Sequence, residues 1–308
     1  MRKIVSACLL LCLCFTLVAC KDTPTTTTTA STTQPTTAGA IDYVSDYVTG
    51  KFSKVDLKDS FNSYNGSITF SSNSVQTTGT GVTVSGTVAT INKGGVYTVS
   101  GSCGNGQLIV SVDKLEQVHI VLAGLSLSCQ TGAPFWVKSA DKVVVTLKSD
   151  TVNKFEDGTT FGADIDAPNA CVYSKDDLTF NGAGSLEVIS HLNNGIGCTN
   201  DLKFISGTYT VSALNNAIKG KDSIAVLAAN ITVLAADDAF KSDNDTEQGK
   251  GFIYIAGGNF DITATDDALQ AITAIELAGG TFSIGCGGKS VNCDGAIHRA
   301  QSAQITTK

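Results

Sequence analysis

From residue 195 to residue 285 the sequence repeats with a period of 22, which constrains the fold more than any other feature. The units are GIGCTNDLKFISGTYTVSALNN (195–216), AIKGKDSIAVLAANITVLAADD (217–238), a third unit (239–267) lengthened by the seven-residue insert Asp245–Gly251, and ALQAITAIELAGGTFSIG (268–285). Each unit carries two short alternating stretches at the same phase: Leu202/Phe204 with Tyr209/Val211, Ile224/Val226 with Ile231/Val233, Ile253/Ile255 with Phe260/Ile262, and Ile275/Leu277 with Phe282/Ile284. Alternate residues of a strand face one side, so each unit turns one apolar ladder inward and a polar one outward. A unit this small cannot enclose a core, but stacked copies can. The pattern predicts an all-β solenoid, a parallel β-helix with coils of about 22 residues. The strand-and-turn composition agrees, with 31 Gly and a single Met in 308 residues.

The chain begins MRKIVSACLLLCLCFTLVAC, a short basic start followed by an apolar run of secretory type. Leu17-Val18-Ala19-Cys20 has the form of a bacterial lipobox, in which Cys20 would be lipidated; ordinary signal-peptide cleavage nearby is the plainer alternative. Residues 21–40 are half threonine with interspersed proline, a composition that buries no core and suits an extended stalk. The expected organisation is a signal peptide (1–20), a linker (21–40), a lead-in and cap (41–67) and a β-helix (68–308). This predicts an extracellular protein, either a cell-surface lipoprotein held at the membrane only through Cys20 or a secreted one, and a monomer.

Six of the ten cysteines lie beyond the leader, an even number that permits three disulfides. Cys286 and Cys293, joined by a Gly-rich loop, are the first pair expected. Without the leader, which removes Arg2 and Lys3 but no acid, 19 basic residues face 28 acidic ones. That balance excludes nucleic acid as the expected partner. The acids are 23 Asp against 5 Glu, and short carboxylates suit turns and rigid oxygen sites for hard cations.

Each repeat ends in a pair: Asn193-Asn194, Asn215-Asn216, Asp237-Asp238, Asp266-Asp267. At equal phase on successive coils such pairs stack roughly 4.8 Å apart, in one column. Two like charges at that spacing repel by on the order of 1 kcal/mol even in bulk water. With Asp237, Asp238, Asp243, Asp245, Asp266 and Asp267 in one region, a cation is expected, and Ca²⁺ takes six to eight such oxygens. The plainer alternative is that these residues only shape turns. Lys219, Lys221 and Lys241 fall beside the column, where they either balance its charge or contact an acidic ligand.

The ordered segments GGVYTVSG, GQLIV, APFWVKSADKVVVTLKSDTVNKFEDG, NACVYSKDDLTFNGAGSLEV, AIKGKDSI and DDAFKSDND resemble an extracellular carbohydrate-binding domain family with a right-handed parallel β-helix, similar in fold to pectate lyases. The resemblance spans about Ile68 to Gly295. It implies a calcium-dependent, non-catalytic binder of acidic, pectin-type plant cell-wall polysaccharide. The implied metal ligands are Asp237, Asp238, Asp243, Asp245, Asp266 and Asp267, with Asn215 and Asn216 as lesser candidates, and the implied sugar contacts are Lys219, Lys221 and Lys241. The two Asn-Asn coil ends depart from the acidic tendency of the family.

Two other classes compete. A polysaccharide lyase needs a base, and with Arg299 the only arginine of the exported part, that base would be a lysine. A surface adhesin would use calcium for folding alone. The single tryptophan, Trp136, alternates with Phe135, so one of the two faces outward.

Overall fold

The computed structural model describes residues 51–160 and 167–308; the leader, Cys20, the stalk and residues 41–50 lie outside the described residues. The 22-residue phase becomes the strand register. Leu202 pairs with Ile224, Ile224 with Ile253, and Ile253 with Ile275, all parallel. Tyr209, Ile231, Phe260 and Phe282 form a second row, and Ile196, Ile218, Phe240 and Leu269 a third. Each coil thus contributes one strand to each of three faces.

The first face stacks Lys142–Leu147, Asp177–Gly182, Asp201–Phe204, Ser223–Val226, Phe252–Ile255 and Ala274–Leu277. The second stacks Val152–Asp157, Ser185–Ile189, Thr208–Ala213, Asn230–Ala235, Asn259–Ala264 and Gly280–Cys286. In the early coils the long strand Gln117–Cys129 turns the corner between them, pairing with both Lys142–Leu147 and Val152–Asp157. The third face is a separate 10-stranded sheet that includes Phe135–Ser139, Ala170–Ser174, Asn194–Cys198, Ile218–Gly220, Phe240–Ser242 and Leu269–Ala271. The inward ladders meet in one core, where Phe180 stacks on Phe204 at 5.4 Å and Phe260 on Phe282 at 4.5 Å.

Of the expected lead-in and cap (41–67), residues 51–67 are described. Residues 51–61 run along the outside of the first face as a strap, from its later coils towards its earlier ones. Phe52 is buried against Ile205, Ala225 and Tyr254, while Phe61 meets the edge of His119 at 5.0 Å. Between them Asp56, fully buried, accepts hydrogen bonds from Lys142 Nζ (2.9 Å), Thr179 Oγ1 (2.8 Å), Lys203 Nζ (3.3 Å) and the Ser53 backbone N–H (2.8 Å). Asn181 Nδ2 donates to the backbone carbonyls of Asp56 and Lys58, both at 2.9 Å. The first coil is instead closed by antiparallel hairpins, Gly66–Phe70 with Val75–Gly79 and Val82–Ser85 with Val88–Ile91.

The cysteine expectation is corrected. The six cysteines of the described residues are thiols, not disulfides. Cys286 ends a second-face strand in register with Ala264, whereas Cys293 lies on the third face in register with Ala271. Their thiols donate to separate carbonyls, of Gly288 and Ile272. The Gly-rich loop between them turns a corner of the coil rather than closing on itself.

Candidate functional site

The paired residues at the repeat ends occupy the corner between the second and third faces, and they stack as their phase requires. Asn215 Nδ2 donates to Asn193 Oδ1 (2.8 Å) and Asn216 Nδ2 to Asn194 Oδ1 (3.0 Å), an amide ladder in which each coil hands hydrogens to the one before. The ladder breaks at the next coil, where Asp238 stands in place of an asparagine and offers no donor. Asn216 Oδ1 is buried there without a hydrogen-bond partner.

Above this break the carboxylates divide by role. Asp267 is spoken for: it accepts the Lys289 backbone N–H (2.7 Å) and Asn292 Nδ2 (2.5 Å). Gly288 is needed beside it, since a Cβ there would come within 2.4 Å of Asp267 Oδ1 and 2.6 Å of Asp266 Oδ1. Asp238, also buried, accepts the Asp267 backbone N–H (3.0 Å) and Lys241 Nζ (2.6 Å). Asp237 and Asp266 accept no side-chain hydrogen bond among the described residues. Oxygen atoms of Asp237, Asp238 and Asp266 lie within 4.8 Å of one another, a group that could hold a metal ion.

Of the eight residues expected as metal ligands, these three converge. Asn216 lies one coil away in the same column, and Asn215 is taken up by the ladder, accepting from Asn216 Nδ2 at 3.2 Å. Asp243 and Asp245 do not join them. Asp243 pairs with Lys219 at 2.6 Å on the third face, and Asp245 is exposed in the insert, which is organised by Asn244 bonding Asp222 and the backbone of Thr246 and Glu247.

The electrostatics match this division. Partial burial, then the charges of Asp267, Asp238 and Asp237, raise the carboxyl of Asp266 above its ordinary value. Burial works against the charged form of Lys241, but its bond to Asp238 and the fields of Asp238, Asp237 and Asp243 outweigh it, and its pKa rises. A raised carboxyl pKa means that the fold favours the protonated form. The corner therefore gains stability as pH falls through that pKa and is strained above it. A cation relieves the same strain. If a cation binds here, its affinity measured by titration is expected to fall on acidification, with loss setting in above the ordinary aspartate range of about 4; an affinity that does not change on acidification would exclude Asp266 as a ligand.

Beside the corner lies the outer side of the third face. Strand register puts Trp136, Tyr173, Gly197, Lys219, Lys241 and Gln270 in one column. Phe135 enters the core and Trp136 stands outward, with Lys138 Nζ 4.0 Å from its ring centre. A groove of about 260 Å³ opens here, lined by Tyr173, Gly197, Thr199, Lys219, Lys221 and Asp243 among others. Two of the three expected lysines, Lys219 and Lys221, thus share the groove with Tyr173, and Lys241 and Trp136 lie farther along the column on either side; the repeat pattern singled out neither aromatic side chain. Trp136 and Tyr173 are neighbours in register but 37 residues apart, so the 22-residue phase does not reveal them.

The parallel β-helix has a polysaccharide lyase-like fold. The solved structure described as that of the polysaccharide lyase-like protein from C. thermocellum, gadolinium derivative, matches with a TM-score of 0.76 at 35% identity, covering 79% of this chain and 99% of that one. The chain belongs to the carbohydrate-binding domain family. The family model described as carbohydrate-binding domain-containing protein matches residues 85–307, starting and ending somewhat later than the span from Ile68 to Gly295 expected from the resemblance. A protein of the same description from Acetivibrio thermocellus is 42% identical over 224 residues, 72% of this chain and 78% of that protein.

Proposed function

We propose that this protein is an exported, non-catalytic binder of acidic, pectin-type polysaccharide that holds its ligand through calcium at the Asp237–Asp238–Asp266 corner. The observation that carries this reading is the convergence of those three carboxylates one coil from a buried amide oxygen, Asn216 Oδ1, that has no partner. Ca²⁺ is bound by carboxylate and amide oxygens and is often completed by water or ligand oxygens, so this donor set fits it. The related gadolinium derivative is consistent with a hard-cation site. A bound cation supplies the positive charge that lets an acidic protein hold a polyanion; the lysines of the third face add to it.

Two of the three lysines, Lys241 and Lys219, support binding over cleavage. A lyase base works best with its pKa near the operating pH. Lys241 is held above its ordinary value, and Lys219 is ion-paired to Asp243.

Export rests on the leader and on the Thr-rich stalk.

The test is calorimetric titration of the exported chain with trigalacturonate in calcium, with absorbance recorded for unsaturated product. Binding without product is expected. Product formation would establish a lyase, and no binding would remove the pectin reading.

A further inference from the structure

Gly197 lines a recess in the lysine-lined face, and we propose that this recess is a subsite for one uronate residue, seated between Tyr173 and the Lys219/Lys221 pair. The inference rests on the acidic-polysaccharide reading above and adds a sugar position that the metal corner does not require.

The register defines the recess. Gly197 pairs with Tyr173 on one side and Lys219 on the other, so the aromatic ring and the lysine stand two strand spacings apart, roughly 9–10 Å. A Cβ on Gly197 would come within 2.9 Å of Ala170 Cβ, 3.5 Å of Tyr173 Cδ2 and 3.6 Å of Asn169 Oδ1. The close approach to Ala170 accounts for the missing side chain; it does not account for the lining of the groove beside it.

That lining has two unlike ends. Tyr173 supplies an aromatic surface of the kind that takes the apolar face of a ring. At the other end, Lys219 is neutralised by Asp243, whereas Lys221 is exposed and has no carboxylate partner among the described residues. Asp243, the acid next along the column from Lys221, is already taken by Lys219. Between the ends lie Asn169 and Thr199. The Thr199 hydroxyl donates to the Lys175 carbonyl at 2.8 Å, which leaves its oxygen able to accept from a sugar hydroxyl. One apolar wall, hydroxyl-bonding groups between, and an unneutralised ammonium together describe a pyranose bearing a carboxylate. A neutral hexose would leave Lys221 unanswered.

The experiment is calorimetric titration of the exported chain with trigalacturonate in saturating calcium. Tyr173→Ala is expected to weaken binding about tenfold, the scale of losing one ring stack, and Tyr173→Phe to stay within about twofold of wild type. Lys221→Met, a change at an exposed side chain that keeps the test valid if Tyr173→Ala fails to fold, is expected to weaken binding about tenfold, the scale of one charged hydrogen bond. If the wild-type protein fails to bind, the acidic-polysaccharide reading falls and the subsite with it. If the wild type binds and Asp237→Asn/Asp266→Asn abolishes that binding, while Tyr173→Ala and Lys221→Met bind as wild type, the subsite alone is overturned.

Discussion

Asp56→Ala is expected to destabilise the protein by about 3–5 kcal/mol, the usual cost of removing one partner from a buried ion pair. Asp56 is fully buried and is the shared acceptor of Lys142 and Lys203, each only 12% exposed in its side chain. Truncation leaves Lys203 without its carboxylate, leaves Lys142 only Asp177 at 3.6 Å, and releases the Ser53 and Thr179 donors. Denaturant unfolding gives the magnitude, and limited proteolysis within residues 51–61 reports whether the strap comes away. In a Lys142→Met/Lys203→Met background the same substitution is expected to cost much less, because no buried cation is left without a partner. An unchanged unfolding midpoint in the single variant would show that the strap contributes nothing to stability.

The pH dependence of the strap follows from the same cluster. Burial alone would raise the carboxyl of Asp56, but the Lys142 and Ser53 hydrogen bonds and the charges of Lys203 and Lys142 overcome it and hold the pKa far below its ordinary 3.8. A depressed folded-state pKa gives stability that is complete above the unfolded value and is lost as pH falls below it. The strap therefore loosens in acid below about pH 4, while the metal-free corner at Asp266 relaxes over a higher range. The two regions respond to acid with opposite signs.

The second large effect is at the corner. Calcium is expected to stabilise the wild-type protein by about 2.7 kcal/mol when present at a hundred times its dissociation constant, which raises the melting temperature by several degrees. Asp237→Asn/Asp266→Asn is expected to abolish this shift. That pair is chosen because neither side chain takes part in the hydrogen bonds that hold the coil, unlike Asp238 and Asp267. In the absence of calcium the double variant is expected to be at least as stable as wild type, since it removes two repelling charges. A calcium shift that survives the double substitution would place the ion elsewhere.

How much of this was legible in the sequence depended on the period. Tyr209, Ile231, Phe260 and Phe282 recur at a fixed phase, so one alignment set the register of two faces and placed the paired residues in a column, while the short strands of the third face, such as Ile218–Gly220 and Phe240–Ser242, were not singled out. Which carboxylates of that column converge was not legible, because it depends on donors from outside the repeat. Asp267 is taken by Lys289 and Asn292, and Asp243 by Lys219 on a neighbouring coil. The strap was hidden for a related reason. KFSKVDLKDSF (residues 51–61) has no periodicity of its own, and Asp56 finds Lys142 and Lys203 across separations of 86 and 147 residues. Tyr173 was missed because an irregular interval of 37 residues separates it from Trp136, the residue beside it on the same face.

The most direct test of the central claim is retention of residues 41–308 on immobilised polygalacturonate, first in calcium and then with a chelator, with the eluate monitored for unsaturated uronate. The account predicts retention in calcium, release on chelation and no product. No retention in calcium, or retention that persists under chelation and in Asp237→Asn/Asp266→Asn, would contradict it.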